Sequence, residues 1–152
     1  MKRIVVIGIG NILMQDDGIG VLIVNAIKFE LQKLDIEAFS GETDVQYCLD
    51  QINQDDFLIM IDAIQQQNRA GNIQLIGLNQ AISNITAFDS QHQFSMFEAL
   101  RIYYPHIQGY LIGIETEQFN MGVAISERLA SNFTQISDEV LEIILNISKD
   151  VI

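Results

Sequence analysis

Two stretches of this chain are apolar at nearly every position, and two longer ones are apolar at every third or fourth. The first kind, residues 4–7 (Ile-Val-Val-Ile) in a first strand expected near 3–8, and 57–61 (Phe-Leu-Ile-Met-Ile), suits strands buried on both faces of a parallel sheet. The second kind suits helices with one face on a core. Residues 18–33 place Ile19, Leu22, Ile23, Ala26 and Ile27 on one side, and residues 126–148 carry Leu129, Phe133, Ile136, Val140, Ile143 and Ile147 in one stripe. Between them the pattern predicts a short strand over 37–39 ending at Gly41, and a short helix capped by Thr43-Asp44 and carrying Val45, Cys48, Leu49 and Ile52. It then predicts a strand over 57–64, a polar surface loop over 65–71 and a strand over 72–78 with Ile73, Leu75 and Gly77 in alternation.

The middle is less regular. Residues 79–93 read as a long loop with one turn of helix, and a loop of that length inside a compact domain is often functional. Phe97, Leu100 and Tyr104 give 94–104 a helical spacing that stops before Pro105, which disfavours helix in the residue ahead of it. A last strand over 110–114 leads into an acidic turn, Glu115-Thr116-Glu117. Alternation of this kind predicts an α/β fold: a single three-layer domain over 1–152, with a twisted, mostly parallel sheet of about five strands and helices on both faces.

Composition narrows the function classes. The 152 residues, 49% of them hydrophobic with one proline, can bury a proper core. A formal net charge of -12 argues against nucleic acid or an anionic membrane as partner. One cysteine, Cys48, excludes an internal disulfide and fits a reducing compartment. No apolar run is long enough to span a bilayer, and the N-terminus lacks a signal peptide's apolar region. The expected location is therefore cytoplasmic.

The chemistry centres on residues 8–20, Gly-Ile-Gly-Asn-Ile-Leu-Met-Gln-Asp-Asp-Gly-Ile-Gly, between the first strand and the first helix. A phosphate-binding turn would place glycines or a lysine where Asp16 and Asp17 stand, so this turn suits a cation instead. The second apolar strand carries Asp62 near its carboxyl end. If the two strands are parallel neighbours, both acidic segments open on one crevice, and His92 in the long loop can reach the same rim. Carboxylates with an imidazole suit a borderline divalent metal such as nickel, cobalt or zinc. Each residue also has an ordinary structural reading: Asp16 or Asp17 as a helix cap, Asp62 as a hydrogen-bond acceptor in a loop, His92 as an exposed loop residue. Neither a Gly-x-Ser-x-Gly elbow nor a His-Glu-x-x-His helix is present. Cys48 reads as core packing and His106, after Pro105, as structural or solvated.

The pattern Gly8-x-Gly10-Asn11-x-Leu13-x-x-Asp16-Asp17-Gly18-x-Gly20 resembles the N-terminal signature of the hydrogenase maturation endopeptidases. The resemblance continues at residues 58–64, at Ser90-Gln91-His92-Gln93 and, weakly, at Ile112-Gly113-Ile114, in the family's order. It implies an endopeptidase that removes a short C-terminal peptide from the large-subunit precursor of a nickel–iron hydrogenase once nickel is in place. By position it makes Asp17, Asp62 and His92 the metal-recognising and catalytic set, with the nickel carried by the substrate and no permanently bound cofactor. Asp16 becomes a loop or capping residue. Where the family usually has Gly-Gly-Thr this chain has Gly41-Glu42-Thr43, and where a Pro-Gly pair is common it has Ala70-Gly71. The first departure bears on substrate preference. The alternatives are a nucleotide-binding module, which the acids oppose, and a non-catalytic metal-binding protein of related fold.

Overall fold

The computed structural model describes residues 1–84, 91–117 and 119–151, apart from the side chains of residues 91 and 92. Five strands, β1 (Ile4–Ile9), β2 (Glu37–Glu42), β3 (Phe57–Gln65), β4 (Ile73–Gly77) and β5 (Gln108–Thr116), form one sheet in the order β2-β1-β3-β5-β4. β1, β2, β3 and β5 are parallel, and β4 pairs antiparallel with β5 at the edge. The expected adjacency of β1 and β3 is observed, with Ile4 opposite Phe57 and Gly8 opposite Ile61. Their carboxyl ends therefore open at one edge of the sheet.

Successive side chains of a strand point to opposite faces, and the apolar runs divide accordingly. Ile4 and Val6 of β1, Ile59 and Ile61 of β3, and Ile112 and Ile114 of β5 pack with helices α1 (Ile19–Gln32) and α5 (Glu127–Val151). Val5, Ile7, Leu58, Met60 and Leu111 face the other layer, made by α2 (Val45–Asp50), α3 (Leu78–Ser83) and α4 (Gln91–Tyr103). Asp44 caps α2 as the sequence predicts, its side chain accepting from Tyr47 N at 3.0 Å. Among the described residues, no helix is long and apolar enough to cross a membrane.

Three features differ from the sequence expectation. The buried side of α1 runs through Gly20, Ile23, Val24, Ile27 and Leu31, and Ala26 is exposed. Gly20 sets that rotation, because a Cβ there would lie 2.2 Å from Ile61 O, so the helix backbone rests directly on β3. Of 79–93, expected to be a long loop with one turn of helix, 79–83 and 91–93 are helical, while residues 85–90 lie outside the described set. α3 packs on β4 and β5, and the start of α4 is fastened to β3 through Gln93; each piece is too short for helical periodicity to reveal it. Finally, β2 and β5 extend further than predicted, to Glu42 and Thr116, so Glu115 belongs to a strand and is fully buried.

The amino edge of the sheet is held by cations. Arg3 donates to Asp56 through Nε at 3.1 Å and Nη2 at 2.6 Å, to Glu37 through Nη1 at 3.0 Å, and to Gln51 O at 2.9 Å. Hydrogen bonds to Asp56 raise the Arg3 pKa further above its ordinary value. Lys2 Nζ reaches Gln108 Oε1 at 2.7 Å. These ties join the starts of β1, β2, β3 and β5.

Candidate functional site

At the opposite edge, the glycine-rich segment leaves β1 and turns through Asn11, whose side-chain oxygen accepts from Leu13 N at 2.9 Å. It then forms a tight turn of 3-10 helix, Gln15–Gly18, that carries both acids directly into α1. Asp16 and Asp17 point different ways. Asp17 Oδ2 accepts from Asn11 N at 2.9 Å, so it faces back across the loop. Asp16, with no exposed surface, accepts from Ser126 N at 2.6 Å and from Glu117 N at 3.3 Å, at the two ends of the segment joining β5 to α5. Asp16 is thus a capping residue, as the resemblance implies, but for a distant segment.

Asp62 sits near the end of β3 and is completely buried, with Oδ1 accepting from Ala63 N at 2.7 Å. By alternation it lies on the Leu58–Met60 face, toward α4. Gly10 lies between the two candidate acids. Its φ is 134°, and a Cβ there would fall 1.9 Å from Asp17 O and 3.5 Å from Asp62 Oδ1. Only a residue without a side chain lets the loop close down on Asp62 in this way.

His92 is the second residue of α4, a helix start rather than the loop position expected from sequence; its side chain lies outside the described residues. Its neighbour Gln93 is buried, and Gln93 Nε2 donates to Ala63 O at 2.7 Å. That bond fastens the first turn of α4 to the residue following Asp62. Among the described residues, no group of three or more His, Cys, Asp or Glu is arranged to hold a metal ion.

Beside this rim lies a shallow cleft enclosing about 170 Å³ of space open to solvent, lined by Ile9, Glu42, Thr43, Val45, Cys48 and Met96. Glu42 ends β2 in the left-handed region at φ 51°, and its carbonyl accepts from Gly10 N at 2.9 Å. A non-glycine residue is costly in that conformation. Cys48 is buried, and desolvation with the nearby Asp44 charge pushes its thiol up to about 12. The thiolate is therefore scarce at neutral pH, which suits packing rather than nucleophilic attack. His106 is exposed.

Sequence reasoning missed Glu115. Its carboxylate accepts from Gln67 N and Asn68 N at 2.6 Å each, from Gln74 Nε2 at 3.4 Å and from Asn72 Nδ2. Burial alone would raise its pKa, but the donors of Asn68, Asn72, Gln67 and Gln74 outweigh that and hold it at about 2. It organises the polar tract between β3 and β4. The polar composition of 65–74 was the only available signal.

A mostly parallel sheet with a glycine-rich acidic turn and a second carboxylate at its carboxyl edge defines an α/β protein of a particular kind, and the comparisons specify it. The family model described as HycI, hydrogenase maturation protease, matches residues 21–147. The chain therefore belongs to the hydrogenase maturation protease family. The matched span contains Asp62 and His92 and begins just after the acidic turn. The hydrogenase 2 maturation protease of Escherichia coli (strain K12) is 33% identical over 100 residues, 64% of this chain; the match spans 61% of that relative's length. Among solved structures, the hydrogenase maturating endopeptidase HybD from E. coli superposes with a TM-score of 0.79 at 24% identity, covering 95% of this chain and 93% of that one. The NiFe hydrogenase maturation protease HybD from Thermococcus kodakarensis gives 0.74 at 17% identity, covering 93% and 98%. At these identities the two structures establish a shared fold.

Proposed function

We propose that this chain is a cytoplasmic endopeptidase that removes a C-terminal peptide from the large-subunit precursor of a nickel–iron hydrogenase, with the nickel already in the precursor as the recognition element. Family membership supports the reaction class. The observation that carries the site assignment is the closure around Gly10, which brings the Asp17 backbone and the Asp62 carboxylate to the same turn at the sheet's carboxyl edge. Gln93, bonded to Ala63 O, ties the helix start bearing His92 to that place.

In this reading Asp17, Asp62 and His92 together recognise the precursor's metal. Two carboxylates and an imidazole form a donor set suited to a borderline divalent ion. The nickel arrives as part of the substrate, and no permanently bound cofactor takes part. Asn11 N, bonded to Asp17 Oδ2, holds that carboxylate in a fixed orientation before substrate arrives. Burial of Asp62 removes competing water and strengthens its interaction with a cation. Peptide hydrolysis then follows one of two routes: polarisation of the scissile carbonyl, or activation of water by a carboxylate of the set.

The test is cleavage of nickel-loaded and metal-free precursor, followed by mass measurement, with wild type, Asp17→Asn, Asp62→Ala and His92→Ala side by side. Only the loaded precursor should be shortened, and casein should survive. Asp17→Asn keeps the shape and loses a charge, so it should weaken processing; the two alanine variants remove a donor outright and should cost more. Equal cleavage of both precursors would refute nickel gating. Full activity in Asp62→Ala would remove the set from the reaction.

A further inference from the structure

The loop that carries the acids and the loop that follows β5 are joined by a small piece of parallel pairing, Met14 opposite Gly122. Gln15 N donates to Gly122 O at 2.8 Å, Gly122 N donates to Leu13 O at 2.8 Å, and Asn120 N donates to Gln15 Oε1 at 3.2 Å. Asp16 fixes the second loop at both ends, through Glu117 N and Ser126 N. The two segments thus form one preorganised platform.

What the platform presents is apolar. Leu13 is 59% exposed, Met121 87% and Val123 75%, with Ile12 and Phe119 also exposed. Residues 11–15 and 119–126 contain no charged side chain, in a chain with 8 Lys+Arg and 20 Asp+Glu. Depletion of charge around exposed aliphatic and aromatic groups marks the centre of a protein interface. Rigid backbone pairing lowers the ordering cost of binding there.

We infer that this platform docks the folded body of the precursor, seating an apolar surface that lies beside the cleavable chain end. The inference rests on the endopeptidase reading above. Continuity favours this occupant, because Ile12 directly follows Asn11, whose amide holds Asp17. A second copy of the chain seated here would cover the rim that the substrate must reach. Five exposed apolar side chains are also few against the roughly 20–30 residues per partner of a stable interface, which suits a transient enzyme–substrate contact.

The experiment compares wild type with Met121→Asp/Val123→Asp and the uncharged Met121→Ser/Val123→Ser, using purified nickel-loaded precursor as the probe. Binding to the immobilised protease, steady-state cleavage, melting temperature and sedimentation are all read. Both side chains are exposed, so melting should be nearly unchanged; the serine pair serves if the aspartates perturb folding or the local field. Both variants should raise Kd and KM by about ten-fold or more while kcat stays within about two-fold, because only ground-state docking is lost. Wild-type Kd and KM in both variants would overturn the docking surface and leave the peptidase reading standing. Binding by wild type without cleavage, lost in the variants, would support the surface and sink the reaction. A wild-type dimer that the variants turn into monomers with unchanged precursor affinity would assign the platform to self-association and overturn the inference. Absence of both binding and cleavage in wild type would overturn both.

Discussion

Asp16 accepts a 2.6 Å hydrogen bond from the backbone amide of Ser126, 110 residues away, inside a fully buried contact. Adjacent acids therefore divide their work: Asp17 accepts from Asn11 N within its own loop, and Asp16 anchors the entry to the last helix. Asp16→Ala should destabilise the protein by about 2–3 kcal/mol, since a charge-assisted acceptor is removed from buried amides. Hydrogen–deuterium exchange should accelerate at Glu117 and Ser126 before it does so in β1 or β3. Unchanged protection at those amides would show that the segment is held by other means.

Gly10→Ala is the sharpest test of the site geometry. Its Cβ would meet Asp17 O at 1.9 Å, with φ at 134°, so the backbone itself must move. A loss of about 2–4 kcal/mol in stability is expected, with precursor cleavage falling further than stability alone explains. Gly77→Ala is the control, because a Cβ there meets nothing within 4 Å. It should be within about 0.5 kcal/mol of wild type. Equal effects at the two positions would contradict the close approach at Gly10.

Nickel, cobalt, zinc or cadmium ions alone should bind weakly at the same place and raise the melting temperature by mass action. The shift should shrink as pH falls, because carboxylate and imidazole donors must be deprotonated. Asp62→Ala should abolish it, and Cys48→Ser, in the buried apolar layer, should leave it nearly intact. Equal shifts in wild type and Asp62→Ala would place the ions elsewhere on this acidic surface.

Glu115 predicts an acid limb. Its folded pKa of about 2 lies below the ordinary 4.5, so its stabilisation is complete above about 4.5 and lost progressively as pH falls toward about 2. Glu115→Gln should therefore destabilise the protein at pH 7 and differ less from wild type at pH 2.5. Urea midpoints at the two pH values measure this. A constant difference across that window would mean that the carboxylate's charge is not what the donors recognise.

Residues whose neighbours in sequence are also their neighbours in chemistry were legible. The apolar runs of β1 and β3 announced a parallel core, the α5 stripe announced its face, and the glycine-rich acidic turn announced the connection from β1 to α1. The α1 face was read about one position off, because a glycine contact and not the count of apolar residues sets the rotation. α3, the start of α4 and the burial of Glu115 were not legible, since each depends on partners far along the chain. The antiparallel direction of β4 was likewise invisible in its own five residues. For the candidate set, Asp17 was legible as an acid beyond the first strand and Asp62 as one near the carboxyl end of the second, whereas the role of Asp16 required Ser126 to be in view.

The Arg3 ties at Asp56 and the Gly10 closure at Asp62 stand toward opposite ends of the central strands, and the six-residue step between them along β3 spans about 20 Å. Changes that far apart generally have additive effects. The strands can therefore act as an insulator in evolution: loops at one end are free to drift toward new substrates while the other end keeps the stability reserve that such drift consumes. A directed-evolution campaign on the rim should start from a chain reinforced around Arg3 and Asp56.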